Sequence, residues 1–332
     1  MGAIDTDVLS EKYRQVAVRL STRELLVSQI QGSEQESDLS ESTNCSGLGR
    51  VRHFRRATVP GWVENPLPID PAVQALRLQE HDELRAQVFQ NAVCNWRCWY
   101  CFVPFSLLRG DLRHSSWRSA TELVDLYAAL PDRPIVLDLS GGQPDLVPEW
   151  VLWTMDALEE RGLESEVYLW SDDNLSNDYF WRFLDTRQQT RVGEYKMYGR
   201  VCCFKGIDSD AFAFNTAARP DLFDRQFELF ARLLNLGLDL YAYITLTTPN
   251  TDGLDGVVSA FFDRLQRIHE NLPLRTIPLE VQTFSPVEGR LTAKRSVAMR
   301  NQYVAMEHWK KEIAARFTSE ERGRRISEIS LG

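Results

Sequence analysis

Residues 86–101 read AQVFQNAVCNWRCWYC, a short apolar run that leads directly into three cysteines. The first half has the length and composition of a buried strand. Five similar runs follow, separated by segments with helical spacing, and a last helix closes the series. The predicted strands are 86–93, 135–139, 166–170, 200–204, 240–247 and 277–284, and the predicted helices are 119–130, 149–161, 177–186, 222–236, 253–270 and 295–317. Repeated strand–helix units predict an α/β fold with a parallel sheet, either doubly wound or a barrel.

Each predicted strand is followed by a loop with polar, glycine-rich or reactive residues. In chain order the loops are 94–101 with the cysteines, 140–144 (Ser-Gly-Gly-Gln-Pro), 171–174 (Ser-Asp-Asp-Asn), 205–208 (Lys-Gly-Ile-Asp), 248–250 (Thr-Pro-Asn) and 285–290 (Ser-Pro-Val-Glu-Gly-Arg). Any single loop could reflect turn chemistry alone. Because ligands of α/β folds bind at the carboxyl ends of the strands, the six loops together predict one site.

The three cysteines, Cys94, Cys98 and Cys101, have the spacing C-x3-C-x2-C. Three thiolates can hold three corners of a four-iron cluster and leave the fourth iron open to a small molecule. Thiolate-rich sites select either iron–sulfur clusters or zinc. Structural zinc sites usually take four ligands in two close pairs, and the sequence has no second C-x2-C pair. The spacing therefore favours an iron–sulfur cluster, with zinc or no metal as the alternatives.

The remaining cysteines, Cys45, Cys202 and Cys203, lie far from this motif in the sequence. Six cysteines are too sparse to form a disulfide framework in a chain of 332 residues. Cys45 falls in a polar segment, and we interpret it as an incidental thiol. Cys202 and Cys203 fall in a predicted apolar strand and are expected to be buried structural thiols.

The overall composition limits the function classes. Hydrophobic residues make up 43% of the chain, which is enough for a large core, and the formal net charge is −9. This acidic balance argues against sequence-independent binding to nucleic acid, which depends on Lys and Arg contacts to phosphates. No apolar run approaches the ~20 residues of a membrane span. Free thiols without a secretory signal predict a cytoplasmic protein.

Changes in composition along the chain predict four parts. Residues 1–31 have apolar residues among charges and are predicted as an N-terminal helix. Residues 32–50 are rich in Ser, Glu, Gln, Asn and Gly and are predicted as a flexible linker. Residues 51–83, with four prolines before residue 72, are predicted as an extended segment that wraps the core. Residues 84–332 are predicted as the core, which ends in a long helix.

From about residue 84 to residue 290 the sequence resembles the radical S-adenosylmethionine (SAM) enzymes. The matching motifs are Cys94-x3-Cys98-x2-Cys101, with the aromatic Tyr100 before the last cysteine, and Gly141-Gly142-Gln143-Pro144, which matches the G-G-E-P element of that family with Gln in place of Glu. The resemblance implies a partial (β/α)6 TIM-like barrel with an N-terminal helical and extended extension. It also implies a [4Fe-4S] cluster on the three cysteines, with the methionyl amine and carboxylate of SAM on the open iron.

The resemblance further implies roles for residues that would bind SAM. Tyr100 would pack near the adenine, although a core aromatic would look the same. Gly141 and Gly142 would let the backbone approach SAM because no Cβ intervenes. Carbonyl groups of the 141–144 loop would accept hydrogen bonds from the methionyl ammonium, and Gln143 keeps an acceptor although it lacks the charge of Glu.

Later loops would complete the SAM site in the same way. Ser171 and Asp172 would bond the ribose hydroxyls, or else form an ordinary turn. Lys205 would contact the SAM carboxylate or the substrate, or else be a solvated turn lysine. Glu288 and Arg290 would face the substrate or form an ion pair at the rim.

The reaction implied by the resemblance is reductive cleavage of SAM to a 5′-deoxyadenosyl radical, which abstracts hydrogen from a substrate. A one-electron donor such as flavodoxin or ferredoxin would supply the electron. Residues 202–212 partly resemble activases that install glycyl radicals, which favours a protein or peptide substrate. A nucleotide, RNA or a small metabolite stays open as the substrate, and a non-catalytic iron–sulfur or zinc redox protein stays open as the function.

Overall fold

The computed structural model describes residues 2–332 as a mixed α/β protein with a three-stranded and a seven-stranded sheet. The strands are β1 Val18–Arg19, β2 Glu24–Ser28, β3 Gly49–Arg55, β4 Glu83–Phe89, β5 Ser115–Ser119, β6 Val136–Leu139, β7 Tyr168–Asp173, β8 Tyr198–Phe204, β9 Leu240–Thr245 and β10 Thr276–Leu279. The helices are α1 Thr6–Ala17, α2 Ile69–Leu76, α3 Ala120–Ala128, α4 Glu149–Glu160, α5 Tyr179–Phe183, α6 Thr186–Glu194, α7 Ser209–Thr216, α8 Leu222–Leu234, α9 Leu254–Ile268, α10 Ser285–Glu288, α11 Ala293–Arg316 and α12 Ser319–Arg322.

The seven-stranded sheet has the order β10-β9-β8-β7-β6-β4-β3. Six of its strands, β4 and β6 to β10, are parallel neighbours in chain order, and helices lie between them in sequence. These six strands overlap the six predicted strands and have the predicted order, although the predicted strands 86–93 and 277–284 extend beyond the observed ends at Phe89 and Leu279. The seventh strand, β3, comes from the N-terminal region and pairs antiparallel with β4. This strand order is consistent with a partial TIM-like barrel.

Both faces of the sheet are covered, which explains why its strands are apolar runs without simple alternation. One face packs against the helices through Leu137, Leu139, Leu169, Phe204 and Ile244. The opposite face, which we call the inner face, carries Ala86, Val136, Trp170, Val201 and Tyr241. Around α2, the residues that pack against the inner face are Leu67, Ile69, Ala72 and Val73.

The N-terminal region differs from its prediction as a helix through residue 31. The helix α1 ends at Ala17, and β1 and β2 then form an antiparallel hairpin. Leu25, Leu26 and Val27 of β2 are fully buried because β2 pairs with β5, more than eighty residues later. The helical prediction was therefore wrong beyond Ala17, since this pairing depends on a distant segment that local spacing does not reveal.

Residues 32–50, predicted as a flexible linker, pack against β4 and the following residue, Gln90, through amide side chains. Gln35 Nε2 donates to Gln90 Oε1 at 2.8 Å, and Gln90 Nε2 donates back to Gln35 Oε1 at 3.0 Å. Asn44 and Gln87 form a second reciprocal pair, with both bonds at 2.8 Å. Two short 3-10 turns shape the segment. The polar composition of residues 32–50 thus reflects hydrogen bonding to the core. The division of the whole chain into four parts stays a prediction.

The 51–83 segment begins in β3 and continues through α2, so it combines extended backbone with a helix. Trp62 fixes the part between them, because its indole Nε1 donates to the carbonyl of Pro278 at 2.9 Å. Within residues 2–332, no helix has both the length and the apolar composition that a bilayer span requires.

Candidate functional site

The cysteine loop follows β4 and is held by two buried tryptophans. Trp96 and Trp99 are each only 1% exposed, whereas Cys94, Cys98 and Cys101 are partly exposed. Trp96 Nε1 donates to Thr6 Oγ1, and Trp99 Nε1 donates to Asn215 Oδ1, both at 3.1 Å. The alternation of tryptophan and cysteine in C-N-W-R-C-W-Y-C therefore anchors the loop while the three cysteine residues stay partly exposed.

Cationic side chains hold the carbonyls of this loop. Arg290 Nη1 donates to the Cys101 carbonyl at 2.8 Å, and its Nη2 donates to the Val103 carbonyl at 3.2 Å. Arg97 Nη1 donates to the Cys94 carbonyl. Arg290 thus supports the cysteine loop, a role different from the substrate contact or rim ion pair expected from sequence.

Burial favours the protonated form of the Cys94 and Cys98 thiols in the free chain. Burial raises the pKa of Cys98 to about 12 against the opposing charge of Lys205. Burial also raises the pKa of Cys94, with the charge of Arg97 opposing that rise. Any metal bound here would have to displace these protons, and the nearby cations would favour the resulting thiolates.

The glycine loop at Gly141 and Gly142 lies directly against the end of β4. A Cβ on Gly142 would come within 2.3 Å of the Asn91 carbonyl oxygen and 2.6 Å of the Val93 carbonyl oxygen. The backbone N–H of Gln143 donates to the same Val93 carbonyl at 2.8 Å. Gly142 also has φ +69°, a conformation that favours glycine. Glycine is required here because the loop touches the backbone that leads into Cys94.

Tyr100 and Asn174 connect the cysteine loop to the strand ends. The Tyr100 hydroxyl lies 3.0 Å from Thr245 Oγ1 on β9. Asn174, after β7, directs Nδ2 toward Cys94 Sγ at 3.9 Å and donates to Asn95 Oδ1 at 3.1 Å. Loops that are far apart in sequence therefore meet at one edge of the sheet, as the strand pattern predicted.

Two predicted site residues have their polar atoms bonded within the protein. The Gln143 amide donates to Asp173 Oδ1 at 2.8 Å and accepts from the Asn174 backbone N–H at 2.9 Å. Ser171 is 1% exposed and its hydroxyl bonds the Tyr198 hydroxyl at 2.7 Å. Ser171 lies on the helix-facing side of β7, opposite to Asp172. Pro144 starts a buried 3-10 turn after this loop.

The inner face carries a charged group of residues near the cysteine loop, which we call the inner charge cluster: Arg50, Arg52, Asp138, Asp172 and Lys205. Asp138 is fully buried, and Ser140 Oγ donates to its Oδ2 at 3.2 Å. Burial and the charge of Asp172 raise the pKa of Asp138 to about 7. Oδ1 of Asp138 and Oδ1 of Asp172 are buried and have no hydrogen-bond partner within residues 2–332. Each of these oxygens therefore has an unused capacity to accept a hydrogen bond.

Sequence reasoning identified Asp172 and Lys205 in this cluster but missed Arg50, Arg52 and Asp138. A signal was available for Asp138, because a single carboxylate interrupts the apolar run Val-Leu-Asp-Leu of β6. Arg50 and Arg52 alternate with Val51 and His53, as expected for side chains on one face of a strand. The pairing of β3 with β4 was needed to show which face that is.

The three cysteines fit an iron–sulfur cluster in donor chemistry only: they place three thiols in one cationic loop beside unpartnered carboxylate oxygens. Within residues 2–332, no three His, Cys, Asp or Glu side chains are arranged as a metal-binding group. Cys202 and Cys203 are buried in β8, and Cys45 is buried at a 3-10 turn, as free thiols.

Comparisons with known proteins give limited similarity. No family model matches the chain, and no curated protein matches it. Seven chains among solved structures match. One is Streptococcus suis SuiB bound to the precursor peptide SuiA, with 15% identity and a TM-score of 0.38 over 53% of this chain and 36% of SuiB. Another is SuiB bound to S-adenosylmethionine, with 16% identity and a TM-score of 0.38 over 52% of this chain and 36% of SuiB.

At this level of similarity the SuiB structures support no inference about the site. Fold and site together define an α/β protein with a cysteine loop, a glycine loop and an inner charge cluster at the carboxyl edge of a parallel sheet.

Proposed function

We propose that this protein is a radical SAM enzyme with a partial (β/α)6 barrel. The observation that supports this most directly is the contact between the cysteine loop and the glycine loop, two motifs that the sequence shares with that family. Gly142 of the glycine loop packs closely against the carbonyls of Asn91 and Val93, which directly precede the cysteine loop. This contact would bring a cluster on the cysteines next to the amino-acid part of SAM.

Each role follows from the chemistry of the side chain. Cys94, Cys98 and Cys101 would hold a [4Fe-4S] cluster, and Arg97 would offset its negative charge. Carbonyls of the glycine loop would accept hydrogen bonds from the methionyl ammonium. When bound, the cluster and SAM supply a 5′-deoxyadenosyl radical for hydrogen abstraction from the substrate.

The remaining SAM contacts are assigned from the faces on which the residues lie. Asp172, whose Oδ1 lacks a partner within the described chain, would bond a ribose hydroxyl. Lys205 would contact a carboxylate, and Tyr100 would pack near the adenine. Gln143, Pro144 and Ser171 would position the loops rather than contact SAM, because their polar atoms are committed to the protein.

We propose a protein or peptide as the substrate because residues 202–212 partly resemble glycyl-radical activases. The electron donor would be a flavodoxin or a ferredoxin, since such carriers deliver single electrons at low potential. The free thiols favour a reducing cytoplasm as the location.

Anaerobic reconstitution tests the proposal. With iron, sulfide, dithionite and SAM, the protein is expected to take up about four irons, as one [4Fe-4S] cluster requires, and to release 5′-deoxyadenosine. Cys98→Ala should abolish both because it removes one of three cluster ligands. The matched control is Cys45→Ala, which removes a buried thiol outside the loop and should leave iron content and product release unchanged.

A zinc protein is the second candidate, since thiolates also select zinc. A reconstituted protein that stays colourless, binds one zinc and releases no 5′-deoxyadenosine would establish that alternative. Equal loss of iron in Cys98→Ala and Cys45→Ala would also contradict the assignment of the cluster to the cysteine loop.

A further inference from the structure

Arg50 and Arg52 belong to the inner face because of the register between β3 and β4. Arg50 pairs with Val88 and Arg52 pairs with Ala86, an inner-face residue. Side chains of directly paired residues point to the same side of a sheet. Val88 in turn pairs with Asp138, so both arginines lie on the side that carries the rest of the inner charge cluster.

Arg50 lies beside the cysteine loop. Its guanidinium carbon is 5.0 Å from the ring centre of Phe102, the residue that follows Cys101. The side chain is deeply buried, and the whole residue is 7% exposed. A guanidinium in this position carries a full positive charge next to the site of the proposed chemistry.

Within residues 2–332, neither arginine donates a hydrogen bond to a carboxylate, and only Arg50 is buried. Nε of Arg50 is buried without any partner, and no carboxylate oxygen lies within 4.0 Å of its guanidinium. Arg52 has one carboxylate neighbour, Asp138, at 3.7 Å, which is too long for a hydrogen bond. An unpaired buried cation is costly, so the buried guanidinium of Arg50 favours an anion supplied from outside the chain.

The carboxylates of the cluster do not fully compensate these charges. Three cations, Arg50, Arg52 and Lys205, share the inner face with two carboxylates, Asp138 and Asp172. Burial and the charge of Arg52 lower the pKa of Arg50 to about 10, which shows how poorly its cation is compensated. Arg52 and Lys205 are partly exposed, so a solute can reach this side of the sheet.

We propose that Arg50 and Arg52 form a binding site for an oxyanion of the substrate, either a carboxylate or a phosphate. Guanidinium groups suit both anions because their N–H groups match two oxygens at once. This inference rests on the proposed function, because the substrate meant here is that of the proposed reaction. Binding of the anion itself requires neither cluster nor SAM. For a protein substrate, the carboxylate would belong to an Asp or Glu side chain or to a chain terminus.

The test is calorimetric titration of the full chain, without iron or SAM, using inorganic phosphate in one arm and glutarate in the other. Ionic strength is held constant with chloride. The variants are Arg50→Gln and Arg52→Gln, and the matched control is Arg55→Gln on the opposite face of the same strand. Charge-assisted hydrogen bonds are worth about 1.5–3 kcal/mol, so each inner variant should weaken binding about 10- to 150-fold. Arg55→Gln should stay within about twofold, because Arg55 is an exposed partner of Glu83.

The two arms identify the anion: tighter binding of phosphate indicates a phosphorylated substrate, and tighter binding of glutarate indicates a carboxylate. Absence of binding in both arms overturns the proposal. So does equal weakening in Arg55→Gln, which would indicate general surface attraction. If Arg50→Gln does not fold, Arg52→Gln decides, since Arg52 is partly exposed, and Arg50→Lys should retain part of the affinity.

A further titration separates this inference from the function on which it rests. If Arg50→Gln leaves phosphate and glutarate binding unchanged and instead loses binding of SAM, the arginine serves the cofactor and the proposal is wrong. If anion binding depends on Arg50 but the wild type releases no 5′-deoxyadenosine, the anion site stands and the radical SAM function fails.

Discussion

Replacing Gly142 with alanine should lower the stability of the protein by more than the cost of a left-handed backbone conformation, because the new Cβ would also overlap neighbouring carbonyl groups. A Cβ at this position would lie 2.3 Å from the Asn91 carbonyl oxygen and 2.6 Å from the Val93 carbonyl oxygen. Both neighbours are backbone atoms, so they can move only if the end of β4 moves with them. An alanine at φ +69° also pays about 1–2 kcal/mol for the left-handed conformation.

Gly162 provides a matched control for the cost of the left-handed backbone conformation, without the steric contact. Its φ is +66°, and a Cβ there would meet nothing within 4 Å. Gly162→Ala should therefore cost only about 1–2 kcal/mol. Gly142→Ala adds about 1–3 kcal/mol for overpacking, which gives a total of about 2–5 kcal/mol. For a chain of this length, these values correspond to falls in Tm of about 1–3 °C for Gly162→Ala and about 3–7 °C for Gly142→Ala.

The assay is thermal unfolding followed by circular dichroism, with iron content after reconstitution as a second measurement. Gly142→Ala should also lower iron content, because the shifted carbonyls lie next to Cys94, while Gly162→Ala should not. Equal losses in Tm for the two variants would refute the close approach of the glycine loop to β4.

Two other predictions concern buried charges. Arg200→Ala should lower the free energy of unfolding, measured by urea titration, by about 3–5 kcal/mol. The reason is that Asp145, bonded to Arg200 at 2.8 Å, would become an uncompensated buried carboxylate. The control variant Arg161→Ala breaks only an exposed pair and should lower the free energy of unfolding by less than about 1 kcal/mol. The second compares wild type with Asp138→Asn by urea unfolding at several pH values. Burial raises the pKa of Asp138 from 3.8 to about 7, so between these two pH values the folded wild type binds more protons than the unfolded chain. The stability of the wild type relative to the variant should therefore fall as the pH rises from 4 to 7. A stability difference that does not change with pH would show that Asp138 does not titrate in this range.

The core of the fold was predictable because each parallel strand is buried on both faces and reads as an apolar run. The strand from Val136 to Leu139 and the strand from Leu240 to Thr245 lie where the sequence predicts them. The predicted helix 177–186 corresponds to α5, Tyr179–Phe183, and a separate helix, α6, begins at Thr186 because the Asp185 side chain accepts from the Gln188 backbone N–H. Local capping was visible in the sequence, but the stronger apolar pattern masked it.

The candidate site was predictable only where a motif or a strand end marked it. The cysteine and glycine loops are adjacent because β4 and β6 are neighbours, which follows from the strand order. Arg50 could not be assigned to the candidate site from the sequence, because its place on the inner face depends on the antiparallel pairing of β3 with β4. Gln35 was also unpredictable, since a polar side chain is buried only when a partner such as Gln90 is present.

The pairing of β2 with β5 affects when the cysteine loop can close during synthesis. Glu24 pairs with Ser119, which lies 119 − 24 = 95 positions later in the chain. The residues around the cysteines bond to β2, as Ala92 does through the Leu26 carbonyl at 2.9 Å. The thiols are therefore translated before the strand that completes the small sheet has emerged from the ribosome. We expect an interval during translation in which the cysteines are more accessible than in the folded protein, and insertion of the proposed cluster would be least hindered in that interval.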